Sequence, residues 1–134
     1  MAEYAAHAPD AIDLRMGYVE DDGVRALLAE SDALLLPYTD FHSQSGVALL
    51  AASNARPIIA SPAGGIGTLM AEGMPSIPIS QPVSPDTVAE AIIAFAAIPA
   101  ATWNERAGQY LQHTLEVRSW RAIGAQYLAL AESL

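Results

Sequence analysis

The chain alternates between short apolar runs and longer segments in which hydrophobic residues return every three to four positions. Four apolar runs have the length of strands: Ile12 to Tyr18, Ala33 to Pro37, Pro57 to Ala60, and Ile77 to Ile79. Runs that are apolar throughout are typical of parallel strands covered on both faces. The pattern therefore predicts four parallel strands.

The segments between these runs have the hydrophobic period and the end signals of helices. Thr102 with Glu105 three residues later is typical of a capping box. The last helix carries the apolar residues Trp120, Ile123, Tyr127 and Leu130 at helical spacing. The predicted helical segments run from Asp21 or Asp22 to near Ser31, from Ser45 to Asn54, from Gly65 to Gly73, from Ser84 to about Ala97, from Thr102 to about Leu115, and from Ser119 onward.

Alternating strands and helices predict right-handed βαβ units. The expected fold class is α/β, a Rossmann-like parallel sheet of about four strands with flanking helices. The 134 residues suit one domain by size, and no internal repeat or linker divides them. A single Rossmann-like domain over residues 1–134 is expected.

Composition and charge exclude several classes of function. Hydrophobic residues make up 52%, and the 6 cationic residues, all arginine, face 15 acidic ones for a net charge of −9. This balance opposes nucleic-acid binding, which depends on cations that displace counterions. The absence of cysteine excludes disulfides and thiolate metal sites, and the absence of lysine excludes a Walker motif.

No signal-peptide pattern of a basic segment followed by an apolar one is found at the N-terminus. The longest apolar stretch, Ala91 to Trp103, is interrupted by Pro99. A membrane-spanning helix needs about 20 apolar residues. No membrane segment is expected in this chain, and the expected location is the cytoplasm.

Ligand chemistry is expected where strands end, because open parallel sheets bind ligands beyond the carboxyl ends of their strands. The loop from Pro37 to Val47 leads into a helix N-terminus, whose free amides favour an anion such as phosphate. The alternative is that Ser43 or Ser45 only caps the helix. The next loop, Ser61 to Gly67, carries three glycines and forms either a plain turn or the other wall of a pocket.

The histidines give weaker signals. His42 lies beside Asp40 in the first of these loops, where it either touches a ligand or is simply solvated. His7 and His113 have no neighbouring ligand-type residue in sequence and are assigned no chemistry. No metal-binding motif occurs.

Several short motifs follow one another in an order that resembles that of a known protein family. The motifs are Gly17-Tyr18-Val19, Leu34 to Tyr38, Gln44-Ser45-Gly46-Val47, Arg56 to Ser61, Gly64-Gly65 and Ser119-Trp120. From Ile12 to Leu134 the chain resembles the C-terminal lobe of GT-B glycosyltransferases of family 4, the glycosyl transferases group 1. The resemblance implies that this lobe binds a nucleotide-sugar donor, without a metal, and that a separate lobe binds the acceptor of a retaining hexosyl transfer.

The resemblance also implies roles for particular residues. Ser43 would stand at the catalytic position beside the donor-sugar hydroxyls, where the family commonly has a glutamate. Ala51 stands at the position of a second glutamate, which contacts the ribose in the family, and Ala55 and Thr68 are further departures. The implied donor-binding residues are Tyr38, Gln44, Ser45, Gly46, Val47, Gly64 and Gly65.

The resemblance begins after the two strands and the basic residue pair that open the family's lobe. The chain is therefore expected to be truncated at its N-terminal side and inactive in isolation. The alternative function is a non-catalytic, Rossmann-like interaction module derived from a glycosyltransferase. The expected partners are a nucleotide-sugar, a separate acceptor lobe or further copies of the chain, and a complete enzyme would sit peripherally at the membrane.

Overall fold

The structure, a computed structural model, describes residues 11–133. Strands and helices alternate through the first half of this range, and three helices follow in succession. In chain order the elements are α1 (Asp21–Glu30), β1 (Leu34–Leu36), α2 (Gly46–Ser53), β2 (Ile58–Ala60), α3 (Gly65–Ala71), β3 (Ser76–Pro78), α4 (Pro85–Ala96), α5 (Ala100–Arg118) and α6 (Trp120–Glu132).

The three strands form one parallel sheet in the order β1-β2-β3. Leu36, Ile58 and Ala60 belong to one core cluster, which includes residues of α2 and α3 and Tyr110 of α5. The opposite face carries Ile59, which packs with Ile79 and with residues of α4. Helices lie on both faces, β1 and β2 are apolar throughout while β3 begins with Ser76, and the predicted α/β class with a parallel sheet is confirmed.

The predicted strand at Ile12 to Tyr18 is wrong. Residues 11–20 form no strand, and Met16 and Tyr18 are 84% and 86% exposed. Asp13 and Arg15 form a solvent-exposed ion pair of 2.6 Å, and Gly17 has φ +127°. This backbone conformation is open mainly to glycine and interrupts an extended strand, so the apolar run alone is insufficient to predict a strand here. The sheet therefore has three strands in residues 11–133.

The helix boundaries differ most at α5. It begins at Ala100 with Pro99 as N-cap, and the amide of Thr102 donates to the Pro99 carbonyl at 3.0 Å. Thr102 thus lies inside the first turn, and the capping box with Glu105 does not form. By contrast, Ser84 caps α4 as its sequence predicts, through a reciprocal pair of hydrogen bonds with Thr87.

The apolar stripe on α6 does not enter the core. Trp120 is 89% exposed and Tyr127 71%, whereas Ile123 is half-buried. Helix α6 packs mainly on α5, so most of the stripe has nothing over it within residues 11–133. The predicted helix is therefore confirmed, and most of its apolar side chains are exposed.

Among the described residues no single helix is long and apolar enough to cross a membrane. One pair, Pro85–Ala96 with Ala100–Glu132, meets the length and composition limits jointly, across a bend of 95°.

Candidate functional site

Two loops leave the carboxyl ends of adjacent strands. The first loop, residues 37–45, joins β1 to α2, and the second loop, residues 61–64, joins β2 to α3. Ser61 links them, since its amide donates to the Leu36 carbonyl at 3.2 Å and its hydroxyl to the Tyr38 carbonyl at 2.5 Å. The structure therefore brings together the two loops that the sequence singles out, as parallel neighbouring strands require.

The junction between the loops is closed by Gln44 and Gly65. The amide of Gly65 donates to the Ser43 carbonyl at 3.0 Å. A Cβ at Gly65 would overlap the carboxamide of Gln44. Gly65 is buried while Ser43 and Gln44 are exposed. The glycine thus lets the Gln44 side chain lie across the second loop and keeps both polar side chains at the surface.

Ser45 and the first turn of α2 form the other half of the site. Ser45 is 3% exposed, and its Oγ accepts the amide of Ala48 at 3.1 Å. Within residues 11–133 the amides of Gly46 and Val47 donate to no protein acceptor. A Cβ at Gly46 would meet no atom within 4 Å. Ser45 therefore caps the helix, while the two amides beside it have no protein acceptor within residues 11–133 and are available to donate to an anion.

Tyr38 and Phe41 pack the first loop against the core. Their rings stack with centroids 4.8 Å apart and an angle of 21°, and both pack against the core cluster that contains Leu36. Asp40 and His42 lie on the outer side of the same loop, with Nε2 of His42 2.8 Å from Oδ1 of Asp40 and both side chains exposed. The aromatic pair therefore anchors the loop to the core, and the contact between His42 and Asp40 lies at its exposed edge.

The arginine side chains whose contacts the structure defines interact with groups outside the two loops. Arg15 pairs with Asp13, Arg106 lies over the Trp103 ring at 5.8 Å, Arg118 pairs with Glu72 at 2.6 Å, and Arg56 donates to the Leu28 and Ala29 carbonyls. In the described chain none of these contacts reaches the two loops. Within the two loops, the anion donors are thus uncharged groups, namely backbone amides and polar side chains.

A cleft of about 630 Å³ adjoins the site along α2. Local sequence patterns gave no signal for Arg118 in its wall, because that residue comes from the end of α5, far along the chain. The cleft is lined by Gln44, Gly46, Leu49, Leu50, Ser53, Thr114, Arg118 and Ile123.

A second hollow of about 380 Å³ lies between α5 and the segment that precedes β3, and its wall includes Glu72, Tyr110 and His113. In residues 11–133 no group of three His, Asp or Glu side chains is placed to hold a metal ion.

A parallel sheet with open loops at the carboxyl ends of its strands defines a Rossmann-like α/β protein. The family model of the group 1 glycosyl transferases matches residues 5–97, a range that includes both loops and more than half of the chain. The chain therefore belongs to the group 1 glycosyl transferases. Searches of curated proteins and of solved structures found no match to it.

Proposed function

We propose that this chain binds the nucleotide-sugar donor of a retaining, family 4 glycosyltransferase with GT-B architecture. The observation that carries the proposal is the junction of the two loops, which places Ser43, Gln44 and the open amides of Gly46 and Val47 together. Family membership supports glycosyl transfer as the chemistry. The reaction proposed is hexosyl transfer from a nucleoside diphosphate sugar to a glycan or lipid.

In this role the amides of Gly46 and Val47 would bind oxygens of the donor diphosphate. Each amide is a preorganised donor, and the positive end of the α2 dipole adds to its effect. Gln44 would orient a further phosphate oxygen. Ser43 would contact the sugar hydroxyls, because it stands at the position where the family commonly has the glutamate beside the donor sugar. The proposal includes no metal, since these groups supply the charge stabilisation.

The second loop would form the wall against which the nucleotide rests. Gly64 and Gly65 have no side chains, and Gly65 is already covered by Gln44. This wall would therefore present the backbone of Gly64 and the carboxamide of Gln44 to a ligand. Tyr38 would contribute to donor binding indirectly, by holding the first loop in place, since its ring packs on Phe41 and the core.

Amide donors without an arginine would hold a diphosphate weakly, because charged partners roughly double the strength of a hydrogen bond. We therefore propose that the isolated chain binds the donor without turning it over. A separate acceptor lobe would supply the missing charge and the acceptor. The complete enzyme would work in the cytoplasm, at the membrane surface where the acceptor is a lipid.

The test is titration calorimetry of the chain with UDP, GDP and their sugar conjugates. Saturable binding is expected, and Gly46→Val should weaken it at least tenfold because the new side chain fills the space beside the amides. Gly108→Val is the matched control, since a Cβ at Gly108 in α5 also meets no atom within 4 Å. Equal affinities of both variants would argue against this site.

A non-catalytic interaction module is the second candidate. It is favoured by the engagement of the Ser45 hydroxyl in capping α2 and by arginine contacts that lie away from the loops. A folded chain that binds none of the nucleotides would support this second candidate.

A further inference from the structure

An ion pair connects the cleft along α2 with the second hollow. Arg118 ends α5 and lines the cleft, and Glu72 follows α3 and lines the hollow. Nη2 of Arg118 lies 2.6 Å from Oε2 of Glu72, and the two side chains are 30% and 35% exposed. An ion pair this accessible to water contributes little to stability. The guanidinium can therefore exchange Glu72 for another anion at a small cost in free energy.

The cleft suits an anion because of the residues that line it. Among the described lining residues, Arg118 is the charged one, and no carboxylate stands beside it, although the chain as a whole has a net charge of −9. Gly46 lines the same cleft, and its amide has no protein acceptor within residues 11–133. The hydroxyl of Thr114, one turn before Arg118, donates to the Tyr110 carbonyl at 2.9 Å. One cavity thus contains an available amide and a guanidinium.

Tyr110 supplies an independent observation on the other side of the ion pair. Its side chain is buried, and its hydroxyl has no hydrogen-bond partner in the described chain. Burial raises the pKa of this hydroxyl, and the charges of Arg118 and Glu72 act on it in opposite directions, so both side chains lie near it. An unpaired buried hydroxyl is costly. The arrangement in which Glu72 holds Arg118 therefore leaves a donor beside Glu72 unsatisfied.

We propose that Arg118 is a phosphate-binding residue of the donor site and that Glu72 restrains it in the free chain. When a diphosphate occupies the amides of Gly46 and Val47, Arg118 turns from Glu72 into the cleft and binds a phosphate oxygen. Glu72 then accepts the hydroxyl of Tyr110. This role rests on the proposed function, because it takes the diphosphate to lie at those two amides.

The exchange of partners at Arg118 is favourable at each contact. The contact that breaks is a partly exposed ion pair, whereas the contact that forms is a charge-assisted hydrogen bond from a guanidinium to a phosphate, which arginine binds through two parallel N–H groups. Tyr110 gains an acceptor in the same step. A diphosphate that contacts only the released arginine shifts the equilibrium toward it. Arg118 would thus supply one positive charge from within the chain, and a separate acceptor lobe would supply the rest.

Titration calorimetry with inorganic pyrophosphate, UDP and GDP tests the role of Arg118. Arg118→Gln should weaken binding about tenfold, because a charge-assisted hydrogen bond is lost. Arg121→Gln is the matched control, since it removes the same charge from an exposed side chain on α6 that is not among the lining residues of the cleft. It should change the affinity less than about twofold.

The restraint by Glu72 is tested by a gain of affinity, which a poorly folded variant does not produce. Glu72→Gln should strengthen binding about two- to fivefold, the range expected when a partly exposed ion pair no longer holds Arg118. Glu116→Gln removes the same charge from an exposed position on α5 and is the matched control. A Glu72→Gln variant that binds no more tightly than Glu116→Gln would overturn the restraint.

The Tyr110 contact predicts a further loss. Tyr110→Phe should weaken binding about two- to fivefold, because its hydroxyl gains a partner only in the bound chain, and the exposed Tyr127→Phe should bind like the parent. Equal affinities of these two variants would overturn the Tyr110 contact. If Gly46→Val weakens binding while Arg118→Gln and Arg121→Gln bind alike, the role of Arg118 is overturned and the proposed function stands. If the parent chain binds none of the three probes, both proposals fall.

Discussion

The carbonyl oxygen of Ser43 accepts the amide of Gly65 and leaves no room for a side chain at Gly64. A Cβ built on Gly64 would lie 2.7 Å from that oxygen and 3.0 Å from the Phe41 carbonyl oxygen. Gly64 also has φ +52° and ψ −137°, a conformation that residues with a Cβ rarely adopt. The junction of the two loops therefore depends on glycine at this position.

Gly64→Ala is expected to lower the free energy of unfolding by about 1–3 kcal/mol, because it adds backbone strain and a steric clash. Gly108→Ala is the matched change inside α5, where the Cβ meets no atom within 4 Å. That variant should gain about 0.5–1 kcal/mol from helix propensity. Urea unfolding of both variants checks the prediction, and a Gly64→Ala variant as stable as the parent would contradict it.

Tyr110 offers a prediction about pH. Its hydroxyl is buried and has no hydrogen-bond partner in the described chain. Burial raises the pKa of this hydroxyl above its usual value near 10; the positive charge of Arg118 opposes the rise, and the negative charge of Glu72 adds to it. The unfolded chain then releases the proton at a lower pH than the folded one.

Stability linked to Tyr110 should be fully present below about pH 10, the unfolded pKa, and lost as the pH rises through the higher folded pKa. Tyr110→Phe should remove this loss. At neutral pH it should also raise the free energy of unfolding by about 0.5–1 kcal/mol, because an unpaired buried hydroxyl is costly. Chemical unfolding from neutral to alkaline pH measures both effects. Tyr127→Phe alters an exposed side chain and should follow the parent chain; a similar curve for Tyr110→Phe would contradict the prediction.

The sheet and the meeting of the loops could be predicted because both follow from local signals. Apolar runs at Ala33 to Pro37 and Pro57 to Ala60 contain β1 and β2, and parallel neighbours bring their carboxyl ends to one edge. The roles of Ser43 and Gln44 remain predictions. Their sequence positions indicate the loop, and the structure shows the contacts they make.

Other features depend on contacts between distant parts of the chain. Ile12 to Tyr18 was predicted as a strand from its apolar residues, but pairing requires a partner strand and an extended backbone, and Gly17 interrupts that backbone. Trp120 has the spacing of a core residue, but burial needs an element packed over it. Arg118 reaches Glu72 across 46 residues of sequence, and no local pattern indicates such a pair.

The Ser45 hydroxyl could both cap α2 and bind a ligand, and one substitution tests the two roles separately. Its Oγ uses a lone pair to accept the amide of Ala48 at 3.1 Å, and a hydroxyl still has one proton to donate. Both roles are therefore compatible. Ser45→Ala should lower the free energy of unfolding by about 1 kcal/mol through loss of the cap. If Ser45 also donates to a donor phosphate, the affinity for the nucleotide should fall about tenfold, equivalent to about 1.4 kcal/mol.

Ser53→Ala is the control at the other end of α2. The Ser53 hydroxyl is exposed and donates to the Leu50 carbonyl at 3.0 Å, so its loss should change stability by less than about 0.5 kcal/mol and leave affinity unchanged. Urea unfolding and titration calorimetry on the same samples give both quantities. A Ser45→Ala variant that loses stability but keeps its affinity would restrict Ser45 to capping, and the amides of Gly46 and Val47 would then be the remaining phosphate donors of α2.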